Sequence, residues 1–519
     1  MTGRQVLVAS SCLLAWRATP DTDRLTVLGR GATFVRRGHW NRSGSITGLF
    51  LFAALVAHGQ ASVVTTADSR VKAPVYSQQL QAELQAIREA SITSDYALRE
   101  LAVLTDKIGP RLNGSQQAQD AIDHVAGEFR RLGLDVRLER VTVPHWLRGT
   151  EKAELLKFPG QMSGTSQSIA LTTLGGSIAA PPDGLDADIV VVNSFKELWA
   201  LDRAKVEGKI VFFNCRFDQQ MAAQGYGLKA YRQTSSYRVE GANSAARLGA
   251  VAALVRSLGS ANYRLPHTGF LRYGTDVSQI PAAAVTAEDA DLIARLARDG
   301  PVRLHLLLRP QILPDVESYN VIADIKGSEY PEQIVIVSGH LDSWDPGTGA
   351  TDDAAGVALA MQAAEIFRRL NLKPKRTIRV IAWMGEEFGG LGGKVYAKEH
   401  ASEIANHFAA IESDHGAGHP LGFTFKGNPA IRARLLRVSL VLQSSGAGLM
   451  QFTEDVETDI SPLADAGVPC FGLWQDSRTY FDYHHTAADT FDKVVPKELA
   501  ENAAVMSVLA YALASVGAR

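Results

Sequence analysis

The chain has 519 residues, 46% of them hydrophobic and 21% charged, with a formal net charge of −2 at pH 7. This length exceeds what one hydrophobic core usually serves, so we expect more than one domain. The composition is that of a folded globular protein, and the near-neutral charge gives no reason to expect nucleic acid or an acidic membrane surface as a partner. No apolar run in the sequence reaches the roughly 18 residues that a membrane-spanning helix needs.

Residues 1–61 form a leader without the features of a folded domain. Their longest apolar run, residues 46–57, follows three arginines between positions 36 and 42 and precedes Gly-Gln-Ala at positions 59–61. A basic flank, a short apolar core and a small-x-small site are typical of a secretory signal peptide, and we rank a buried helix or a lipid-facing anchor below it. We therefore predict that the protein is secreted or periplasmic.

Three cysteines, Cys12, Cys215 and Cys470, lie far apart in the sequence. They provide neither a disulfide framework nor the thiolate spacing of a structural zinc site. Any metal ion in this protein must therefore be held by histidines and carboxylates.

Residues 62–149 are predicted to be the N-terminal part of an α/β domain. Helical spacing covers residues 78–106, with a polar break near position 92, and returns over residues 116–132. Residues 136–143 alternate between apolar and polar side chains, as in an edge strand. This part contains no residue that we would single out as catalytic.

From residue 150 to about residue 315, short apolar runs alternate with alanine-rich helical segments and scattered glycines. No cluster of histidines and carboxylates occurs in this segment, so we predict an inserted, non-catalytic domain that covers the site or positions a substrate. Its loop over residues 263–273 is expected nearest the cleft. The predicted strands are 188–192, 209–213, 252–255 and 304–308, and the predicted helices include 241–248 and 288–298.

The C-terminal part, residues 316–519, is organised around the stretch from 331 to 355. A short run of Ile and Val at 334–337 predicts a buried strand, and His340 and Asp342 follow its C-terminal end. A loop rich in glycine then leads to the Asp-Asp pair at 352–353 and to a helix that ends near residue 370. By itself this stretch is equally compatible with an ordinary polar loop and a helix cap.

Three further predicted strands also end beside ionisable side chains, and a closing helix is predicted over residues 496–516. Because the carboxyl ends of parallel strands meet at one edge of a sheet, we expect these side chains to converge. The strands and the groups that follow them are 376–384 with Glu386 and Glu387, 408–412 with Asp414, and 468–473 with His484 and His485.

This collection of residues points to metal-assisted hydrolysis. The adjacent Glu386 and Glu387 would repel each other in a half-buried loop unless a cation lies beside them. Histidines and carboxylates without thiolates suit catalytic zinc. Two divalent ions that share one acid form a co-catalytic pair about 3.5–4 Å apart, and a spare glutamate then serves as the general base. Asp342, two residues after His340, suits a partner that orients the imidazole.

Four motifs resemble those of the di-zinc exopeptidases of the bacterial aminopeptidase type. The resemblance covers most of the chain from about residue 80, and it implies a three-layer α/β/α zinc-peptidase domain with a mixed, mainly parallel sheet. Residues 150–315 resemble a protease-associated domain inserted into it. The motifs are HLDSWDPGTGATDD from His340, WMGEEFGG from Trp383, ESDHGAG from Glu412 and HHTAADT from His484.

The resemblance implies two Zn²⁺ per chain, with Asp352 bridging them. It also implies a cis peptide bond between Asp352 and Asp353. The ligands that it implies are His340, Asp352 and Asp414 for one ion, and Asp352, Glu387 and His485 for the other.

The resemblance further implies that Glu386 is the general base that activates a water held between the two ions. His485 is preferred to His484 as a ligand because it immediately precedes a threonine and lies four residues before an aspartate. His484 stands where many relatives have a tyrosine that polarises the scissile carbonyl. It is therefore a candidate for that role, with an ordinary loop histidine as the alternative.

The predicted function is that of a zinc-dependent exopeptidase that hydrolyses dipeptides or releases N-terminal residues from short peptides. One alternative is a single-zinc glutaminyl cyclase on the same fold, and another is a non-catalytic receptor-type ectodomain. The full set of implied ligands argues against both. Short peptides are the expected partners, neither nucleic acid nor a stable membrane span is expected, and a homodimer stays open.

Overall fold

The structure is a computed structural model that describes residues 76–260, 263–428 and 431–517. The predicted signal peptide lies outside these residues. Two mixed eight-stranded sheets organise the described chain. Among the described residues, no helix is both long and apolar enough to cross a membrane.

The helices occur on both sides of residues 150–315 and also within that segment. Helix α7 begins well before the predicted start at residue 241. The sequence pattern missed its first part because two buried positions there, Thr234 and Arg238, are polar. The helices are α1 (Gln78–Ile92), α2 (Tyr96–Ala102), α3 (Gln116–Arg131), α4 (Phe195–Trp199), α5 (Arg203–Val206), α6 (Gln219–Ala223), α7 (Gly227–Ala246), α8 (Ala287–Asp299), α9 (Ala355–Arg369), α10 (Leu391–Glu399), α11 (Ile431–Leu442), α12 (Ser461–Asp465), α13 (Tyr480–Tyr483) and α14 (Pro496–Ser515).

The strands divide between the two sheets according to their position in the chain. The predicted strands all occur, and several short ones that the sequence pattern did not indicate join them. The strands are β1 (Asp135–Leu147), β2 (Glu151–Lys157), β3 (Gln167–Ile169), β4 (Leu171–Thr173), β5 (Leu185–Val192), β6 (Ile210–Phe213), β7 (Ala252–Arg256), β8 (Ala282–Val285), β9 (Arg303–Leu308), β10 (Gln311–Ile325), β11 (Tyr330–His340), β12 (Arg376–Trp383), β13 (His407–Glu412), β14 (Pro420–Lys426), β15 (Leu449–Phe452) and β16 (Cys470–Gln475).

The first sheet has the strand order β1-β10-β12-β11-β13-β16-β14-β15. Its four central strands β12, β11, β13 and β16 run parallel, while β1, β10 and β14 pair antiparallel at the sides. The sheet is therefore mixed, as predicted. Because its central strands are parallel, their C-terminal ends lie along one edge.

Helices cover both faces of this sheet, and strand β11 shows why. Its side chains alternate between faces, as in any strand. Val335 and Val337 belong to the core that contains residues of α9 and α14, whereas Ile334 and Ile336 pack in the core that contains Tyr396 of α10. A strand that is apolar on both faces is typical of a parallel sheet buried between two helix layers.

The second sheet has the strand order β3-β2-β9-β5-β6-β7-β8-β4 and is built entirely from the segment between β1 and β10. Strands β5 to β8 run parallel, and antiparallel strands flank them. The loop after β7 reaches the functional edge of the first sheet, where the Thr268 N–H donates to the carbonyl oxygen of His485 over 2.9 Å. The second sheet thus contributes directly to that edge.

Candidate metal centre

His340 is the last residue of β11 and is fully buried. Its Nδ1 lies 3.0 Å from the carbonyl oxygen of Asp342. Its Nε2 lies 3.1 Å from Oδ1 of Asp352 and 3.0 Å from Oδ1 of Asp414. Because Nδ1 has a carbonyl acceptor, Nε2 is the nitrogen available to bind a metal ion.

Asp352 lies between two imidazoles. While Oδ1 faces His340, Oδ2 lies 3.1 Å from Nε2 of His485. The same nitrogen of His485 is 3.1 Å from Oε2 of Glu387. The five residues predicted to be ligands therefore meet at the edge of the first sheet, with Asp352 in the middle.

The backbone around Asp352 has the geometry that the resemblance implied. The peptide bond between Asp352 and Asp353 is cis, which confirms that prediction. The two carboxylates have different partners. Asp353 accepts hydrogen bonds from the backbone N–H groups of His340 and Gly356, each over 3.0 Å. Asp353 thus ties the start of α9 to β11, and the Asp352 oxygens face the imidazoles.

Asp489 supports Asp352 from the other side. One of its oxygens accepts from the Thr351 N–H over 2.7 Å, and the other accepts from the Asp352 N–H over 3.1 Å. Burial, followed by the nearby charge of Asp352, raises the pKa of Asp489 to about 6. The aspartate four residues after His485 thereby links the His485 segment to the Asp352 loop.

Asp342 organises the loop that carries the two glutamates. Its carboxylate accepts hydrogen bonds from the backbone N–H groups of Gly385, Glu386 and Glu387, at 2.8, 3.2 and 3.2 Å. Its Oδ1 is 3.8 Å from Nδ1 of His340, farther than its own carbonyl oxygen. The expected contact of Asp342 with the imidazole is therefore made by its backbone, while the carboxylate fixes the position of Glu386 and Glu387.

The donor set fits divalent metal ions. Ligands of one tetrahedral zinc ion lie about 3.3 Å apart at the usual bond lengths, close to the 3.0–3.1 Å spacings found here. Within the described chain, Oδ2 of Asp352 and Oε1 of Glu387 are buried without a hydrogen-bond partner. The atoms within 4.8 Å of one another form the groups Asp352, Glu387 and His485; His340, Asp353 and Asp414; and His267, His484 and His485.

Asp353 competes with Asp352 for a place beside His340 and Asp414. We favour Asp352, because both oxygens of Asp353 already accept backbone hydrogen bonds. The Oδ1 of Asp352 lies within 3.1 Å of the free nitrogen of His340.

Burial and close approach to one another shift the pKa values of the acids and imidazoles in this cluster. Burial raises the pKa of Glu386 well above its usual range and that of Glu387 to about 7. Burial acts in the opposite direction on His340 and His485, but neighbouring carboxylates raise the pKa of both well above the ordinary value. Divalent cations would hold the carboxylates ionised and the imidazoles neutral.

Glu386 lines the cleft but belongs to none of the three groups of potential ligands. Its backbone N–H is held by Asp342 over 3.2 Å, and its carbonyl oxygen accepts from the N–H groups of Gly389 and Gly390. The backbone of Glu386 is thus fixed beside the ligand cluster, while its carboxylate belongs to none of the groups that could bind a metal ion.

His484 packs against His485 with 3.7 Å between ring centroids. Its Nε2 lies 3.4 Å from Oδ2 of Asp352, and its Nδ1 lies 2.9 Å from Nε2 of His267. His267 comes from the loop after β7, so a histidine of the segment predicted to be non-catalytic reaches the site. A lone histidine in an irregular loop has no spacing signal that could have indicated this.

Arg111 is a second residue that sequence reasoning did not single out. It is fully buried and donates to the carbonyl oxygens of Leu341, Thr348 and Gly349 over 2.7, 2.7 and 3.0 Å. These bonds connect the two ends of the loop between His340 and Asp352. Burial lowers the pKa of Arg111 to about 10, so it stays charged at neutral pH.

This edge of the first sheet opens into a cleft of about 220 Å³. Both sheets contribute to its walls. Asp342 does not line the cleft, and it affects the cleft only by holding the backbone of Glu386 and Glu387. The lining residues that follow strands of the first sheet or belong to its ligand loops are Asp352, Glu386, Glu387, Asp414, His484 and His485. Those from the second-sheet segment, the part of the chain from β2 to β9, include Tyr231, Arg238 and Phe270.

Comparisons with known proteins agree with this architecture. Residues 320–510 match Peptidase family M28. Human carboxypeptidase Q is 39% identical over 419 residues, which cover 80% of this chain and 84% of that protein. A zinc aminopeptidase from Bacillus subtilis, 20% identical with a TM-score of 0.61 over 82% of this chain and 96% of that one, shares the fold.

The crystal structure of a Peptidase M28 precursor from Shewanella amazonensis is similar over nearly its whole length. It superposes with a TM-score of 0.79 at 39% identity and covers 85% of this chain and 98% of that one. The likeness to exopeptidases of the bacterial aminopeptidase type, predicted from four motifs, is therefore confirmed, and carboxypeptidase Q is among the relatives. The chain belongs to peptidase family M28.

Proposed function

We propose that this protein is a co-catalytic di-zinc exopeptidase that hydrolyses dipeptides or releases N-terminal residues from short peptides. The observation that carries the proposal is the position of Asp352, whose two oxygens face the free nitrogens of His340 and His485 at 3.1 Å each. A carboxylate between two imidazoles, each with a further acid beside it, is the arrangement that two ions sharing one ligand require.

His340, Asp352 and Asp414 would hold one zinc ion, and Asp352, Glu387 and His485 the other. When bound, the two ions supply Lewis acidity and lower the pKa of the attacking water. Glu386 takes the proton of that water and delivers it to the leaving nitrogen as the C–N bond breaks. Asp342 keeps Glu386 in reach by binding the backbone N–H groups of its loop.

His484 is the proposed donor to the scissile carbonyl oxygen. Its Nδ1 is engaged by His267, so its Nε2 is the nitrogen directed toward the ligand cluster. A donor fixed at the position where negative charge develops typically contributes about 100- to 1,000-fold to the rate.

Residues 150–315 are proposed to form the protease-associated-type domain, with the second sheet as its core. Its Arg238 and Phe270 line the cleft, and its Thr268 binds the backbone of His485. Closing the cleft from this side excludes water and restricts the site to small peptides.

The test combines metal analysis with a peptide panel. We expect two zinc ions per chain and hydrolysis of dipeptides with a free N-terminus, with little turnover once the N-terminus is acetylated. One zinc ion per chain with cyclisation of N-terminal glutamine would instead identify a glutaminyl cyclase. Zinc-loaded protein that turns over none of these peptides would contradict the proposal and favour a non-catalytic ectodomain.

A further inference from the structure

Arg238 is a buried cation at the cleft, and no acidic residue of the described chain pairs with its charge. It lies on α7 and is 4% exposed. Its Nη1 is 3.3 Å from the carbonyl oxygen of Thr268 and 3.5 Å from Nδ1 of His485. Within the described residues, its Nε has no hydrogen-bond partner, and no carboxylate forms an ion pair with it.

Two other buried arginines of the described chain have a carboxylate beside them. Arg256 lies 2.8 Å from Asp291, and Arg379 lies 2.8 Å from Asp324. Arg111 has no acidic partner but donates to five backbone carbonyl oxygens. An isolated buried cation is costly, because its lost hydration is not replaced. The setting of Arg238 therefore suits a residue whose partner arrives with a ligand.

The guanidinium of Arg238 is held in place before any ligand binds. It lies over the ring of Tyr231, with 5.3 Å to the ring centroid. It also packs closely on Gly269, where a Cβ would come within 2.3 Å of Nη1. Gly269 has φ +131°, so a larger side chain there would be strained as well as obstructed. A fixed planar guanidinium matches a carboxylate with two parallel hydrogen bonds.

We propose that Arg238 binds the C-terminal carboxylate of the peptide substrate and thereby makes the enzyme a dipeptidase. This inference rests on the proposed peptidase function and names its substrate class. Arg238 touches the far side of the imidazole of His485, whose Nε2 faces Asp352 and Glu387. In a dipeptide the free carboxylate lies one residue beyond the scissile bond, about 3.8 Å between Cα atoms. Arg238 lines the same cleft as Asp352 and Glu386, so a carboxylate one residue beyond the scissile bond would meet the guanidinium there.

A second arginine of the cleft provides a matched control. Arg232 is six residues away on the same helix and also lines the cleft. Its guanidinium pairs with Asp455, so its charge is already compensated. Removing the charge of Arg232 therefore tests the general effect of losing a cation from α7.

The first experiment compares alanyl-phenylalanine, its C-terminal amide and the amide of alanyl-glutamate on zinc-loaded enzyme. Wild type should strongly prefer the free acid. Arg238→Gln should lower kcat/KM for the free acid by about 10- to 100-fold, the usual loss of a hydrogen bond to a charged group, and change the value for both amides less than threefold. Arg238→Lys should lie between the two, and Arg232→Gln should affect acid and amide equally.

Zinc content and Tm are measured on each variant to show that the site is intact. A loss of equal size for acid and amide in Arg238→Gln would overturn the proposal, because it would mean that Arg238 acts by positioning Thr268 and His485. Wild-type enzyme that turns over acid and amide equally well would also overturn it. A loss confined to the amide of alanyl-glutamate would place a side-chain carboxylate at Arg238 and would likewise contradict the C-terminal assignment.

A binding measurement separates this inference from the proposed function. In zinc-loaded Glu386→Gln, calorimetry should show alanyl-phenylalanine binding about 10- to 100-fold more tightly than its amide, and Arg238→Gln in the same background should abolish the difference. If wild type bound the dipeptide with this preference but never cleaved it, the proposed function would fail while the carboxylate site stood. Equal binding of acid and amide would reject the carboxylate site.

Discussion

The two sheets have the same number of strands and similar parallel centres, yet their strand ends differ. In the first sheet β11 ends at His340, while β12 and β13 are followed within four residues by Glu386 and Glu387 and by Asp414. In the second sheet the parallel strands β6, β7 and β8 are entirely buried and are followed by Asn214, Ser257 and Thr286. The topology offers both sheets an edge suited to a ligand.

This difference shows that parallel strands only provide an edge where a ligand could bind. The residues just after the strands determine which chemistry is available at that edge. The first sheet supplies the crowded acids and imidazoles. The second-sheet segment supplies Arg238 and His267, which carry no negative charge and come from a helix and a loop. We expect substitutions on the first-sheet edge to affect metal binding and chemistry, and those on the second to affect substrate recognition and the orientation of His484.

The largest effect is expected for Glu386→Gln. It removes the proposed base and leaves the ligand groups unchanged, so kcat should fall by about 100- to 10,000-fold with full zinc content. Glu387→Gln, one residue away, is the matched control and should reduce zinc content. Steady-state kinetics and metal analysis of both variants test this. Near-normal turnover by zinc-loaded Glu386→Gln would remove Glu386 from the proposed role.

Asp342→Asn is expected to have the next largest effect. An amide presents one acceptor oxygen where the carboxylate binds three backbone N–H groups, so the loop of Glu386 and Glu387 should lose its fixed position. Loss of such a supporting group typically costs about 10- to 100-fold in metal affinity or activity. The control is Asp345→Asn. Asp345 lies in the same loop after β11 as Asp342, but it pairs with Arg148 outside the ligand cluster. Equal behaviour of the two variants would contradict this role for Asp342.

His267→Leu tests the contribution of the second-sheet segment to the chemistry. It removes the hydrogen bond to Nδ1 of His484 without touching a proposed ligand. We expect kcat to fall about fivefold to tenfold, the worth of one hydrogen bond, while zinc content and KM change little. His267→Asn, which keeps a polar side chain, should recover part of the loss. A loss of zinc in His267→Leu would instead assign His267 to metal binding, together with His484 and His485.

The sequence predicted the first sheet better than the second for a physical reason. Its central strands are long apolar runs buried on both faces, and such runs are visible without tertiary information. In contrast, β3 and β4 of the second sheet have three residues each, so pairing with neighbours defines them. Local propensity decides little in such short strands.

The site shows the same division between local and distant information. His340, Glu386, Glu387 and Asp414 follow strong strand signals, and the resemblance implied the pairing of ligands and the cis bond at Asp352. Arg238 and His267 reach the site from distant parts of the chain. Their patterns are those of an ordinary helix and loop, so three-dimensional packing was needed to find them.

The smallest effect on turnover at neutral pH is expected for His407, which lies at the start of β13, remote from the cleft. It is buried, with Nε2 2.8 Å from the Tyr396 hydroxyl and Nδ1 3.1 Å from the Glu403 carbonyl oxygen. Burial lowers the pKa of His407 to about 4. Between pH 6.5 and 4 the unfolded chain therefore binds a proton that the folded chain does not, and stability falls as the pH falls.

For this histidine the loss amounts to about 3 kcal/mol between pH 7 and pH 4, because burial lowers its pKa from 6.5 to about 4. Urea denaturation of chelator-treated protein at both pH values should show that His407→Gln loses less stability on acidification than wild type does. The chelator removes the contribution of metal release, which belongs to the other end of the sheet. Parallel pH profiles for the two proteins would contradict the prediction. A flatter profile for the variant would show that part of the acid sensitivity arises in the sheet itself, away from the metal-binding edge.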